Sequence, residues 1–358
     1  MKTCLCIVPA LAVIVFINSH RSSLFGTAKY QLVAERLLAG QTYYGDIDFD
    51  ERAFQKLMAQ RLPQNIETLV VGSSRTMQLQ ANCFHTSFYN ASVSGAMISD
   101  VAAIVEQFRQ GRNIRHVVLA ADPWMLNAKA QSDAWNPAPK VANLIRIQAA
   151  PDWIRAQRHL GLTPKLDDFI AAARAVAEPY RELLAPTTLH AAFVDPFPLP
   201  SPVRLQNLQF FWGFRKVPNG SVNYPMWGPP DRDAVIRTAE EHLTELYAGF
   251  DRIDPFLARA FEALTSQLRN DGVQVTLVLA PFHPLYYHRA GPILRMTEAY
   301  FRNLQLETRG TYEPREIDMG ESEKRNDRPT PNEPNFIDAV HVEKPWLLAL
   351  YGCPPVIE

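Results

Sequence analysis

Short β-branched and aliphatic runs alternate along the chain with segments whose apolar positions recur at helical spacing, a pattern that predicts an α/β fold. The first apolar run, residues 67–71, ends in Leu69-Val70-Val71 and breaks into Gly72-Ser73-Ser74. Shorter or longer runs of the same kind cover 88–91, 115–121 and 273–280. The run at 115–121 is almost uniformly apolar, as expected of a strand covered on both faces. Between the second and third runs, Ile98, Val101, Ala102, Ile104, Val105 and Phe108 keep a helical period up to Gly111, a stop signal. Phe256, Leu257, Ala260, Phe261, Leu264 and Leu268 do the same over 254–270, ahead of Asp271-Gly272. A further helix is expected to start at Ser74 and run to about position 80. Strand, helix, strand in this order predicts right-handed crossovers and a parallel sheet. Its ligand crevice would lie beyond the carboxyl ends of the strands, where Ser74, Gly95 and Asp122 all fall.

Other segments depart from this alternation. Residues 27–62 read as amphipathic helix, with Leu32, Val33, Leu37 and Leu38, then Phe54, Leu57 and Met58, divided by a turn at 45–48. With the residues before them they make a helical lead-in, 21–62, to a main domain at 63–358. Within that domain, 125–249 reads as an insertion folded over the crevice as a cap or substrate platform. It holds helical pieces at 141–147 and 166–184, broken by proline-rich runs, and aromatic Gly/Pro-rich loops around Trp212 and Trp227. Such aromatics can stack on sugar faces, but more commonly they anchor loops to a core. Residues 313–335 are polar, charged and proline-rich, a surface loop in pattern, and 346–351 forms a short apolar closing helix.

The first 20 residues are a separate case. Thr3 to Ile17 carry no charge and are apolar on every side. The run falls slightly short of the about 17–25 residues that span a bilayer, so it reads as a signal peptide or short signal-anchor, the anchor being favoured because no small-x-small cleavage site follows. This predicts an exported protein held at the cytoplasmic membrane with its main domain outside, periplasmic or extracellular. A formal net charge of −1 gives no reason to expect nucleic acid. Of four cysteines, Cys4 and Cys6 lie in the apolar run, leaving Cys83 and Cys353, which could pair in an oxidising compartment.

Serine at a strand-to-turn break is exposed, with backbone N–H groups free to face a developing negative charge. A serine needs a base, and the base an orienting carboxylate. Asp338 and His341 stand three positions apart, which puts both side chains on one side of a turn. Taken singly, a Gly-Ser-Ser turn is more often a helix cap and an Asp-x-x-His pair more often a surface pair. Together with the segments between them, however, these residues resemble the SGNH/GDSL hydrolase superfamily. Gly72-Ser73-Ser74 looks like its nucleophile block, with Ser73 where the family usually has Asp and Ser74 at the nucleophile position. Asn90-Ala91-Ser92-Val93-Ser94-Gly95 looks like the second block, whose glycine gives an oxyanion-hole N–H. Asp122-Pro123-Trp124 stands where the third block would carry Gly-x-Asn-Asp, so the family's oxyanion asparagine is missing. Phe336-Ile337-Asp338-Ala339-Val340-His341 looks like the last block.

The resemblance implies a three-layer α/β/α flavodoxin-like fold and a triad of Ser74, His341 and Asp338, with the Ser74 and Gly95 amides as oxyanion donors. Behind a membrane segment, variant blocks of this kind resemble the branch containing alginate O-acetylation and D-alanyl-transfer proteins. The activity implied is that of a serine esterase or O-acyltransferase acting through an acyl-Ser74 intermediate. Its substrate would be an acetylated cell-envelope or exported polysaccharide, and a membrane-bound acyltransferase is a possible partner. Arg75, Asp122, Trp124 and His283 are candidate substrate contacts, three of them with a structural alternative: a salt bridge for Arg75, a turn cap for Asp122, packing between prolines for His283. No cofactor is implied. His283 and His288 are poorly spaced for a metal and no cysteine or acid completes a set. The rival reading is a catalytically inactive SGNH-like envelope protein that binds glycan or assembles an export complex. A lipase for long acyl chains would instead need a broad apolar cleft.

Overall fold

The computed structural model describes residues 27–45, 51–130, 153–166, 168–170, 214–223, 249–313, 341, 347–348 and 351–353, with positions 173, 237, 239–240, 243–244 and 247. In chain order the elements are α1 (Thr27–Leu38), β1 (Tyr43–Gly45), α2 (Glu51–Arg61), β2 (Thr68–Val71), β3 (Phe88–Asn90), α3 (Ile98–Arg109) and β4 (His116–Ala120). There follow β5 (Phe214–Lys216), β6 (Val222–Asn223), α4 (Pro255–Asn270), β7 (Gln274–Leu279), α5 (Pro284–Asn303) and β8 (Glu307–Gly310).

Five strands form one sheet in the order β3-β2-β4-β7-β8, and every pair is parallel. The fold is therefore mixed α/β around a parallel sheet. Strand order reverses beside β2: the next strand in the chain pairs on one side of it, and β4 on the other. The crevice at such a reversal is where ligands bind in open α/β sheets. Alternate residues of the strands serve two cores. Leu69, Val71, Val117, Leu119, Leu277 and Leu279 join the larger one, with Phe54 and Met58 of α2, Phe108 of α3 and Phe261 of α4. Val70, Val118 and Val278 face the other side and meet Leu347, Leu348 and Tyr351 from the end of the chain. This double burial explains why the central strands are largely apolar. A disulfide between Cys83 and Cys353, with Cα atoms 4.3 Å apart, joins that terminal segment to the loop between β2 and β3.

The helices over 98–109 and 255–270 form where the apolar period placed them. Asp254 caps α4 by accepting from Phe256 N and Leu257 N, each at 2.9 Å, with Pro255 in the first turn. Three expectations change. No α-helix follows Ser74: one 3₁₀ turn covers Ser74–Thr76 and another Ala81–Cys83. The cause is competition for the carbonyls a helix would use. The Asn90 side-chain amide takes Thr76 O, Met77 O and Leu79 O, and Val222 N takes Met77 O as well. Second, the expected turn at 45–48 begins in a strand, since Tyr43–Gly45 pair with Phe214–Lys216 in an antiparallel sheet completed by β6. This small sheet covers the exposed edge of β3, where Asn219 O accepts from Asn90 N at 2.8 Å. Gly220 is required at that junction, because a Cβ there would stand 2.2 Å from Asn90 O.

Third, α5 and β8 carry no clear sequence signal. Pro292 lies inside α5, and β8 is a polar edge strand, Glu-Thr-Arg-Gly, without a buried face. The anchor expected at 1–20, the helical piece at 141–147, most of that at 166–184, and the loop from 314 lie outside the described residues. Among the described residues no helix is long and apolar enough to cross a membrane.

Candidate active site

The β2 strand ends at Val71, and Gly72 follows at a point of very close approach. A Cβ on Gly72 would lie 2.2 Å from the Ala120 Cβ of β4 and 2.6 Å from Thr76 Oγ1. Glycine is needed here for contact between strand ends rather than for an unusual φ. Ser73 then caps the 3₁₀ turn, its hydroxyl accepting from Arg75 N at 3.2 Å. Thr76 Oγ1 donates to Ser73 O at 3.1 Å and lies 3.0 Å from Ser92 Oγ, tying the turn to the loop after β3. From Thr68 to Leu79 every residue is buried except Ser74. That contrast separates the two candidate serines: Ser73 is sealed in the turn, and Ser74 is accessible.

His341 Nε2 lies 2.7 Å from Ser74 Oγ. The two residues are 267 positions apart, and the geometry is that of a hydroxyl in hydrogen-bond contact with a base. Asp338 lies outside the described residues.

Arg75 turns inward from the same turn. Its guanidinium pairs with Asp122 at 2.9 Å, donates to Pro281 O at 2.9 Å and to Ala280 O, and lies 3.7 Å above the Phe282 ring. One buried cation thus joins the carboxyl ends of β2, β4 and β7. Burial pushes the Asp122 carboxyl above its usual value, against the pull of Arg75, of the Ser73 hydroxyl and of His341. Trp124 is buried too, with its indole N–H donating to Ala96 O at 3.2 Å. Around them Phe282 stacks on Tyr286 at 4.8 Å, Tyr247 meets Tyr286 edge-on, and the Tyr312 hydroxyl donates to Ala121 O. Arg75, Asp122 and Trp124, expected to contact substrate, are instead internal: each is at most 3% exposed and committed to protein partners. His283 is half-buried at the end of β7, and its carbonyl accepts from Tyr286 N and Tyr287 N at the start of α5. Among the described residues no group of three or more His, Cys, Asp or Glu could hold a metal ion.

Gly95 lies in the loop after β3 with φ +55°. Sequence reading missed what holds this loop. Asn90, fully buried, accepts from Ser92 N at 3.1 Å while donating to the Ser74 turn. Glu51, Arg52 and Gln55 of α2 also reach it. The only sequence trace of this role is that α2 keeps polar residues at positions that prove to be buried, Glu51 and Gln55.

Comparison with known proteins finds no family model and no curated sequence that matches the chain. The fold and the geometry around Ser74 are therefore the grounds for a functional reading.

Proposed function

We propose that this is a serine-nucleophile acyl ester enzyme. His341 Nε2 takes the Ser74 proton as Oγ attacks an ester carbonyl, the Gly95 and Ser74 amides receive the oxyanion, and the alcohol leaves with the proton from His341. The acyl-Ser74 ester is then cleaved by water or by a sugar hydroxyl, which gives an acetylesterase or an O-acetyltransferase. Asp338 is assigned the orienting carboxylate, and the reading requires no cofactor. The observation that carries it is the 2.7 Å contact between His341 Nε2 and Ser74 Oγ, made by the one accessible residue of an otherwise buried turn.

Several features support the finer reading, a flavodoxin-like SGNH domain. The five parallel strands, numbered by chain position, run 2-1-3-4-5, the flavodoxin-like order. The four motif blocks stand in the family's order. The Cys83–Cys353 disulfide favours an oxidising compartment, in keeping with an exported domain tethered by residues 1–20. From the same resemblance we take the substrate class, an acetylated envelope or secreted polysaccharide, and a membrane-bound acyltransferase as donor partner.

One observation favours the inactive, glycan-binding alternative: Asp122, at the place of the family's oxyanion asparagine, is locked in a buried pair with Arg75 and gives the oxyanion no donor. Hydrolysis of a chromogenic acetyl ester separates the two. The enzyme reading expects turnover that falls at least about a hundredfold in both Ser74→Ala and His341→Ala. Absence of turnover with acetyl esters and with acetylated polysaccharide favours the binding protein.

A further inference from the structure

The loop after β3 is held by side chains from four directions. Ser92 N donates to Asn90 Oδ1 at 3.1 Å, and Ser92 O accepts from Gln55 Nε2 at 3.4 Å. Val93 N donates to Gly72 O at 2.9 Å. Ser94 is gripped on both sides of its backbone: its N–H donates to Glu51 Oε2 at 2.6 Å, and its carbonyl accepts from Arg52 Nη2 at 3.2 Å. Ala96 O is taken by Trp124, and Met97 N donates to Asp100 Oδ2 at 2.9 Å. Asp100 is in turn fixed by Arg52 through two bonds of 2.8 Å. Among the described residues the Gly95 amide makes no hydrogen bond, although Gly95 is itself buried. A loop whose neighbouring polar groups are so fully matched leaves this donor open by construction, because an unpaired buried N–H is costly to keep.

We propose that Glu51 and Arg52, on α2 ahead of the sheet, are positioning residues that hold the Gly95 amide in place as an oxyanion donor. This rests on the serine-enzyme reading. Arg52 clasps the loop from outside and locks the start of α3 through Asp100. Glu51 holds the peptide next to the donor. Lys216 of the small sheet is fully buried, 5.2 Å from the Phe54 ring centre and without a hydrogen-bond partner for its ammonium among the described residues. Its charge attracts Glu51, whose carboxylate accepts from Ser94 N. Residues 51–61, which pattern alone marks as a connector, thus become part of the catalytic scaffold. Preorganised donors of this kind act by needing no rearrangement when charge develops.

The test uses the full chain and two readouts. Hydrogen–deuterium exchange of the peptide covering 92–97 reports the clasp, and the rate of Ser74 phosphonylation by a fluorophosphonate, whose P–O⁻ develops in the oxyanion position, reports its consequence. Glu51→Ala is expected to speed exchange in that peptide at least about tenfold and to slow phosphonylation by about 10–100-fold, the range for losing one oxyanion donor in part. Glu51→Gln keeps an acceptor for Ser94 N and is expected to stay within about threefold of the parent in both. If Glu51→Ala does not fold, Arg52→Lys takes its place, with faster exchange at 92–97 and unchanged exchange in β4 and β7. Unchanged exchange at 92–97, or faster exchange with an undiminished phosphonylation rate, overturns the proposal. A parent protein that is never phosphonylated removes the serine-enzyme reading and the donor role of Gly95 with it, whereas failure of the clasp alone leaves that reading standing.

Discussion

Ser74 and His341 reach their contact by different routes. Ser74 stands on a turn bound into both sheets: Asn90 holds three of its carbonyls, Gly72 presses against Ala120, and Arg75 joins three strand ends. His341 comes from the far end of the chain, whose described residues dock on the opposite face of the sheet. There a small apolar cluster of Leu347, Leu348 and Tyr351 and the Cys83–Cys353 disulfide hold it. Ser74 is thus fixed by the fold as a whole, and His341 by a local attachment. An arrangement of this kind keeps the Ser74 hydroxyl rigid while letting the His341 side be adjusted by a few contacts.

Breaking the fixed side should have the larger effect. Arg75→Met leaves the Asp122 carboxyl buried without its partner, at a cost of about 3–5 kcal/mol. Denaturant unfolding should show that loss as one cooperative shift of the whole transition, because three strands lose their common tie. A change below about 1 kcal/mol would mean that the pair contributes little to holding the strand ends.

Much of the fixed side could be read from the chain, for reasons the structure makes plain. β2, β4 and β7 announce themselves because burial on both faces favours largely apolar runs, α4 because one face alone is buried, and α3 because its apolar positions keep the helical period. The meeting of Ser74 with His341 followed from motif order, since spacing carries no information across 267 residues. What escaped were features decided by tertiary competition. Ser74 to Gln80 has ordinary helix-start chemistry, yet Asn90 and β6 claim the carbonyls a helix would need. Arg75, Asp122 and Trp124 are polar or amphipathic residues at a strand-end crevice, the usual signature of ligand contact. Here Arg75 pairs with Asp122, and the Trp124 indole donates to Ala96 O, inside the protein. Glu51 and Gln55 read as surface positions of an amphipathic helix until the loop they hold is seen.

The attached side should respond to its staple. Replacing both cysteines (Cys83→Ser with Cys353→Ser) is expected to cost about 2–4 kcal/mol. Exchange should rise in peptides covering 341–353 and stay unchanged in β2 and β4, while ester turnover drops about tenfold through looser placement of His341. Equal loss of protection in the central strands would show that the two regions are not mechanically distinct.

The smallest expected effect is a pH signature within the fixed side. Burial lowers the Lys216 ammonium to about 8 from its ordinary 10.5, against the attraction of Glu51. Between those values the unfolded chain holds a proton that the folded protein has released, so stability should rise with pH from about 8. Burial holds the hydroxyls of Tyr89, Tyr247, Tyr286 and Tyr312 above the ordinary 10.0. Above about 10 the unfolded chain therefore loses those protons first and stability should fall again. Urea midpoints should show a gain of about 2 kcal/mol between pH 7.5 and 9.5, and Lys216→Met should flatten it. A rise that persists in Lys216→Met assigns the effect to another group.

The contact of His341 with Ser74 is most directly tested by mass-spectrometric mapping of the protein after treatment with a fluorophosphonate. The account predicts one adduct, on the hydroxyl of Ser74, absent in Ser74→Ala and slowed at least about a hundredfold in His341→Ala. An adduct on Ser73, an equal rate without the imidazole, or no adduct at all would contradict it.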